Sequence, residues 1–526
     1  MLTLRLKLLL GLDRLIALAL AAALVGAALA FGGAVWWARP PIAAITLALV
    51  LAWVARSAMA GSWRMLKSPL AGLGALALAL ALVQLLPLPV SIARRVSPRS
   101  VAANTIGTIP DKALADDPSA VLPAPFLARV PLTLDRPATL RWLAGGMACL
   151  AMFWVASHFC DRLGHARVVW GSVVAVFFVN TVLSVVQVAN LSDGLYGFIV
   201  PGAGPIWAPS LADAAAAPAS TVLRPLADAR PATESDRARP AIAAARLKPQ
   251  FQLGTLMGGP GGFLALGSLA LPLALGMTLH LMSPRGSRGG LLTRLRAEGQ
   301  GSQLVVLAAL VLAGATLIGL VAGPSLAPCF AIAVLAVGLP GTWSAGLRWT
   351  GLLATLALVG AIGAGVALGG MLPPSSNGEG SPRIEWAGAR RIWAEAIPIA
   401  RDFPLVGTGL GSFAAVEPFY KASDEASNTA MSSVAQWAVE TGGAGVALLG
   451  LAGLWCLVRL PGAIRRVGTA DRALAFGLLG SLGGFALFSA VHWTVQLPAV
   501  ALAASAVAGT ANRWLAGGTD LFVDRG

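Results

Sequence analysis

Long apolar segments recur along the whole chain, and each is long enough to cross a lipid bilayer. A spanning α-helix needs about 20 mostly apolar residues, and runs of this kind include residues 69–93, 260–282 and 350–371. Lipid offers the backbone no hydrogen-bond partner, so such runs enter the bilayer as helices that satisfy their own amides. The sequence therefore predicts an all-α integral membrane protein with about 12 transmembrane helices.

The composition excludes a soluble protein. Hydrophobic residues make up 57% of the chain and charged residues only 12%, whereas a soluble domain carries about 25% charged residues. The net charge of +15 is attributed to cytoplasmic loops that orient the protein, so no nucleic acid partner is expected. The four cysteines show no CxxC spacing, and neither a metal site nor a cofactor is predicted.

Basic residues in short connections predict the orientation. They gather near residues 56–67, 162–167, 285–296 and 459–472, and short loops rich in Lys and Arg stay in the cytoplasm. Both termini are therefore predicted to be cytoplasmic. Residues 1–371 are predicted to form nine spans with two long outer loops, 94–138 and 190–259. Residues 372–432 form a functional outer loop before the tenth span. Residues 433–526 form the last three spans and a cytoplasmic tail.

One polar stretch, residues 383–445, gathers arginines, tryptophans and carboxylates within this apolar chain. Its first part has helical periodicity, and at about 100° per residue Arg383, Arg390 and Arg401 fall within about 20° of one another. Guanidinium groups hold phosphate oxygens in a bidentate fork, so this helix is a candidate diphosphate clamp.

The alternative is an amphipathic helix at the membrane surface, whose arginines pair with nearby carboxylates or lipid head groups. Ile384, Ile392 and Ile399 would form one apolar flank of this helix, and Trp386, Trp393 and Ile397 another. Pro398 lacks a backbone donor and is a point where the helix can kink or end, so the alignment of Arg401 depends on the helix continuing.

Several motifs in and around this stretch resemble the signature of the O-antigen ligase and polymerase superfamily. Within the stretch they are RRIWAEAIPIARDFPLVGTGLGSF at residues 390–413, then Tyr420, then QWAVETGGAG at residues 436–445. Outside it, VPLTLDRPATLRWLAGG at residues 130–146 and VHWTVQLPAVAL at residues 491–502 are similar to further segments of that family.

The resemblance implies a metal-independent, GT-C-like glycosyltransferase of the bacterial inner membrane, multi-pass, with an active periplasmic face. Such an enzyme takes a glycan from an undecaprenyl-diphosphate donor and attaches it to a sugar acceptor during surface polysaccharide assembly. It implies that Arg390, Arg391 and Arg401 bind the donor diphosphate, and that Tyr420 contributes to substrate binding. The Arg-Arg-Ile-Trp form favours an exopolysaccharide-type polymerase over a lipopolysaccharide ligase.

The sequence departs from the family where a His-Asn pair is usual, because Met431 and Ser432 stand there. A methionine cannot accept a proton from an acceptor hydroxyl. His492, near the outer end of its predicted span, is the candidate replacement base, with a buried structural histidine as the alternative. Glu440 matches the family's Glu and is a catalytic candidate as an ionisable residue within a span; orienting an arginine is its other possible role. A second departure is Gly258–Gly262, where the family commonly has asparagines.

Two other classes of function stay open. The missing His-Asn pair favours a non-catalytic relative that holds lipid-linked glycan or scaffolds other polysaccharide assembly proteins. A secondary transporter would pair ionisable groups near the bilayer midplane, and apart from Glu440 the predicted span centres are nearly free of charge. Membrane lipid is a partner under each hypothesis.

Overall fold

The fold is helical throughout the part of the chain that the computed structural model describes. The described residues are 2–30, 32, 38–61, 66–106, 128–190, 260–282, 301–344, 348–371, 386–420, 429–468, 471–493 and 496–517. The predicted outer loop 190–259 therefore lies almost entirely outside them, as do Arg383 and Gly258–Gly259 among the residues singled out above.

Fifteen α-helices are found in these ranges, together with two very short strands. The helices of the first half are α1 Leu2–Leu29, α2 Arg39–Ala60, α3 Leu70–Leu85, α4 Val90–Val96, α5 Pro98–Ile106, α6 Arg136–Phe159, α7 Leu163–Asn190 and α8 Pro260–Met282. Those of the second half are α9 Gly301–Ser344, α10 Arg348–Met371, α11 Trp386–Asp402, α12 Phe413–Val416, α13 Ser433–Arg466, α14 Arg472–Val491 and α15 Pro498–Leu515. The strands β1 Leu88–Pro89 and β2 Arg129–Val130 pair antiparallel, with Leu88 opposite Val130.

Nine helices in the described residues are long and apolar enough to cross a membrane: α1, α2, α6, α7, α8, α9, α10, α13 and α14. The prediction of an all-α, multi-pass membrane protein is thereby confirmed. The count of about 12 spans stays a prediction. One of the predicted spans, at residues 69–93, contains α3, an apolar helix of only 16 residues that is shorter than a full membrane span. Helix α9 is interrupted at Gly323, which has non-helical angles of φ 61° and ψ −172°.

Two apolar clusters matter for the position of the site. The larger one fills the bundle between the long helices, including α1, α7, α8, α9 and α14. The smaller one joins the inner face of α11 to α12 and the start of α13, through Ile392, Ile399, Phe413 and Val439 among others. The end of the bundle that carries this smaller cluster is called the site end below.

Helices α9 and α10 approach closely because glycines stand at their contact. A Cβ on Gly365 of α10 would lie 1.9 Å from the carbonyl oxygen of Thr316, whereas a Cβ on Gly363 of the same helix would meet nothing within 4 Å. Small residues at such contacts let the two backbones pack against each other inside a membrane.

We therefore expect Gly365→Ala to lower the free energy of unfolding by about 1–3 kcal/mol through overpacking. The matched variant Gly363→Ala should be neutral or slightly stabilising, because alanine is the better helix former by about 1 kcal/mol. Thermal unfolding midpoints in detergent compare the two. Equal midpoints for both variants would show that the close contact is not required.

Candidate functional site

The glycine loop, residues 403–412, connects α11 to α12 and inserts into a break in α13. Helix α13 is interrupted at Gly442, which has φ 61° and ψ −159°, so carbonyls before the break and amides after it lose their helical partners. The loop supplies the missing partners through four hydrogen bonds. Before the break, Thr408 N donates to Val439 O and Gly409 N to Glu440 O, both at 3.1 Å. After the break, Gly443 N donates to Pro404 O at 2.7 Å and Ala444 N to Leu405 O at 3.1 Å.

The Glu440 side chain fixes the same loop from the last helical turn before the break. Its carboxylate accepts hydrogen bonds from the amide of Gly411 at 2.8 Å, the amide of Phe413 at 3.3 Å and the side-chain amide of Gln436 at 2.8 Å. The side chain is only 3% exposed, so these donors replace the water that a carboxylate otherwise requires. The observed partners are the loop, the start of α12 and a neighbouring glutamine, which suits a positioning role.

Gln84, at the end of α3, joins a third segment to the loop. It is fully buried. Its side-chain amide donates to Val406 O at 2.7 Å and Glu440 O at 2.9 Å, and its side-chain carbonyl accepts from Leu410 N at 3.1 Å. Its backbone carbonyl accepts from the amides of Leu132 and Thr133, both at 3.0 Å. The segments 130–146, 390–413 and 436–445 therefore meet around one glutamine.

Glycine is required in the loop for both conformation and space. Gly407 and Gly409 have φ of 70° and 109°, a region that other residues adopt only with strain. A Cβ on Gly407 would lie 2.3 Å from the carbonyl carbon of Glu440, and one on Gly409 would lie 2.1 Å from Oγ1 of Thr133. The Gly-x-Gly-x-Gly spacing is explained by this close packing of the loop on α13 and on the segment before α6.

Helix α11 carries the predicted arginines and is anchored by its apolar face. Ile392 and Ile399 are buried in the smaller cluster as the periodicity predicted, whereas Ile397, predicted on a second apolar flank, is 52% exposed. The helix continues through Pro398 as far as Asp402, so Arg401 belongs to its last turn, where it is exposed. Arg390 and Arg391 lie on the α11 backbone, and their role in binding stays a prediction. Arg383 precedes the helix, outside the described residues.

Tyr420 lies at the C-terminal end of α11, where it binds a carboxylate. Its hydroxyl donates to Oδ2 of Asp402 at 2.7 Å, and Nε of Arg99 on α5 lies 3.8 Å from the same oxygen. Burial raises the pKa of Tyr420, the hydrogen bond to Asp402 raises it further, and Arg99 opposes both effects. The sequence did not single out Arg99, which brings a further guanidinium to this end of α11.

Spectrophotometric titration can test this contact directly, because Tyr196 and Tyr420 are the only two tyrosines. In a Tyr196→Phe protein we expect the midpoint for ionisation of Tyr420, followed by tyrosinate absorbance, to lie at a pH above about 10, the ordinary pKa of tyrosine. Adding Asp402→Asn should lower the midpoint, because the phenolate no longer faces a negative charge. A midpoint that Asp402→Asn leaves unchanged would contradict the hydrogen bond.

His492 lies at the site end, directly after the last residue of α14, and is 6% exposed. Its ring stacks between Phe488 and Trp493, with centroid distances of 5.2 and 5.7 Å. Its backbone carbonyl accepts from the amide of Ser433 at 3.2 Å. Burial lowers the pKa of His492 to about 4, so the imidazole is neutral at neutral pH and is a weaker base than an exposed histidine.

Met431 and Ser432, at the position of the family's His-Asn pair, have local structural roles. Met431 adopts a left-handed conformation with φ 51° and packs on the smaller apolar cluster. The Ser432 hydroxyl accepts from Ala435 N at 3.1 Å as the N-cap of α13 and donates to Ala490 O at 2.7 Å. The backbone of His492 is therefore close to the start of α13, as the bond from Ser433 shows.

The structure brings together the glycine loop, Glu440, the start of α13 and His492, and it places Arg401 and Tyr420 on the α11 side of the same end. The sequence analysis did not identify Gln84. The signal was the lone glutamine in LAGLGALALALALVQLLPLPV, since polar groups within a span need a partner.

In comparisons with known proteins, the chain matches no family model, no curated protein and no solved structure.

Proposed function

We propose that the chain is a glycosyltransferase-type polymerase or ligase that moves a glycan from a polyprenyl-diphosphate carrier to a sugar acceptor. It would act at the periplasmic face of a bacterial inner membrane, with both termini cytoplasmic, during assembly of a surface polysaccharide. One observation supports this most strongly. The glycine loop, held by Glu440 and Gln84, attaches the arginine helix α11 rigidly to α13 and to the segment before α6, and all three carry the family-like motifs.

In this proposal the arginines bind the leaving group. Arg390, Arg391 and Arg401 of α11 hold the diphosphate of the donor, with Arg383 as a further contact, and stabilise the charge that develops as the glycosidic bond breaks. Tyr420 sets the end of α11 through Asp402. Glu440 positions the loop and does not itself transfer a proton.

His492 accepts the proton of the acceptor hydroxyl in this proposal. The acceptor oxygen forms a bond to the anomeric carbon of the donor sugar, the bond from that carbon to the diphosphate oxygen breaks, and polyprenyl diphosphate leaves. The proton moves to a ring nitrogen of His492. Its support is the position of His492 at the site end, where its backbone carbonyl accepts from Ser433 at the start of α13.

A second candidate is a non-catalytic protein that holds lipid-linked glycan for other polysaccharide assembly proteins. The observation that favours it is the structural use of Met431 and Ser432, neither of which offers a base. Both candidates predict that the protein binds the lipid-linked glycan. Only the transferase would also cleave it and release polyprenyl diphosphate.

Depletion of the protein from its own cells tests the proposal. A transferase should leave polyprenyl-diphosphate-linked glycan to accumulate while the surface polysaccharide shortens or disappears. The measurement is chromatography of the extracted lipid-linked glycan beside electrophoresis of the surface polymer. An unchanged lipid-linked pool with normal surface polymer would contradict it.

A further inference from the structure

A small lobe at the site end carries several arginines and no acidic residue. It consists of residues 86–106 and 128–134, which form β1, α4, α5 and β2, and we call it the basic lobe. These two segments contain four arginines and no Asp, Glu or Lys. One of the four, Arg99, faces Asp402 of α11 at 3.8 Å. Such a concentration of one charge attracts ligands of the opposite charge.

The basic lobe has its own core and is attached to the site end. The core is formed by Ala93, Val101, Val130 and Leu132, each at most 4% exposed. The amide of Leu132 donates to Gln84 O at the end of α3, at 3.0 Å. Val406 of the glycine loop packs on the same core. The lobe is therefore a fixed part of the site end.

Chain connectivity holds the basic lobe close to the ends of two apolar helices. Helix α3 ends at Leu85 and α4 begins at Val90, and a chain of this length reaches at most about 18 Å. On the other side, α6 begins at Arg136, shortly after β2, and is long and apolar enough to cross a membrane. The head-group layer at each bilayer surface is about 5–8 Å thick, so α4 is within reach of that layer.

The exposed face of α4 combines apolar and basic side chains. Ile92 is 50% exposed, and Leu86, just before β1, is 53% exposed. Arg94 and Arg95 are exposed on the same short helix. At a bilayer surface, a face of this kind places its apolar groups among the acyl chains and its guanidinium groups among the head groups.

Arg129 brings a third exposed guanidinium to the basic lobe. Its strand, β2, lies against the start of α4, where Val90 N donates to Ala128 O at 3.2 Å. Within the part of the chain that the structure describes, Arg94, Arg95 and Arg129 form no ion pair. Their donors are thus available to an anion from outside the protein.

We propose that the basic lobe binds the phosphate head groups of anionic phospholipids. Guanidinium groups hold phosphate oxygens in a bidentate fork, which suits the three arginines. A lipid also accounts for Leu86 and Ile92, because acyl chains cover apolar side chains that a soluble anion would leave in water. This surface would anchor a transferase and a scaffold alike, so it is independent of the proposed function.

A fluorophore on α4 can measure which lipid surrounds the basic lobe. In a protein whose four native cysteines are replaced by alanine, Ser91→Cys places a bimane label at an exposed position of α4. Phosphatidylcholine bilayer discs carry an increasing fraction of brominated phosphatidylglycerol or brominated phosphatidylcholine, whose bromine atoms quench the label. Phosphatidylglycerol should reach half-maximal quenching at an at least about 5-fold lower fraction, since a single arginine near anionic lipid already gives that preference.

Removal of the three charges should abolish the preference. In the Arg94→Gln, Arg95→Gln, Arg129→Gln protein the two brominated lipids should quench alike, and about 1 M salt should have the same effect without any substitution, because it screens charges beyond about 3 Å. The matched control is Ala490→Cys, an exposed position in the last turn of α14 at the site end. Residues 473–493 contain no Asp, Glu, Lys or Arg, so the two lipids should quench alike there.

Equal quenching by both lipids at Ser91→Cys, or a preference that survives the triple substitution, would overturn the inference. So would an equal preference at Ala490→Cys, which would show attraction to the net charge of the whole protein. Quenching by neither lipid would overturn it as well, because the lobe would then lie in water and its ligand would be a soluble anion such as an acidic glycan. None of these results bears on glycan transfer, which has its own test.

Discussion

Replacement of both Arg390 and Arg391 by alanine is expected to lower glycan transfer by about 10²–10⁴-fold, because each charge-assisted hydrogen bond contributes about 1.5–3 kcal/mol. In the proposed mechanism the arginines stabilise the departing diphosphate, so the lost interaction would be one made in the transition state. Cells that carry only this variant should accumulate lipid-linked glycan. The measurement is the ratio of lipid-linked glycan to surface polymer at equal membrane protein level.

A matched pair of arginines provides the control. Arg94 and Arg95 are also adjacent in the sequence. They are exposed in the last turn of α4 and lie outside the family-like motifs. Their double alanine variant should make polymer of normal length. If both double variants behave alike, general membrane-surface charge explains the effect, and the alternative of an amphipathic surface helix is preferred for α11.

Gly409→Ala is expected to lower the free energy of unfolding by about 2–5 kcal/mol and to abolish transfer. A left-handed conformation costs a non-glycine residue about 1–2 kcal/mol, and overpacking adds about 1–3 kcal/mol. The contact involved is the one with Oγ1 of Thr133, 2.1 Å from the added Cβ. The yield of monodisperse protein in detergent and its thermal midpoint report the loss.

The control for this substitution is Gly453→Ala in α13, where an added Cβ would meet nothing within 4 Å. This variant should keep full transfer and match or exceed the stability of the wild type. Normal stability of Gly409→Ala would mean that the glycine loop does not need its close packing on the segment before α6.

The apolar periodicity predicted much of this fold, because burial in lipid or protein imposes it. The all-α membrane class and the buried face of α11 at Ile392 and Ile399 follow from local patterns. At the interruption of α9, Gly323 precedes Pro324 between two apolar runs. Pro398 showed the limit of such reasoning, since tertiary contacts of α11 with the smaller apolar cluster carry the helix past it.

The long-range contacts of the site could not be predicted from local patterns. Gln84 bonds residues more than 300 positions away along the chain, and no periodicity relates them. Glu440 was expected to act in catalysis or to orient an arginine, and its observed donors are the amides of Gly411 and Phe413 and the side chain of Gln436.

The most direct measurement is the release of polyprenyl diphosphate by the purified protein in proteoliposomes supplied with the polyprenyl-diphosphate-linked glycan and an acceptor glycan. The wild type should release one polyprenyl diphosphate for each glycan transferred, and the Arg390→Ala, Arg391→Ala protein should release almost none. Binding of the lipid-linked glycan without any release by the wild type would contradict the transferase and leave the scaffold.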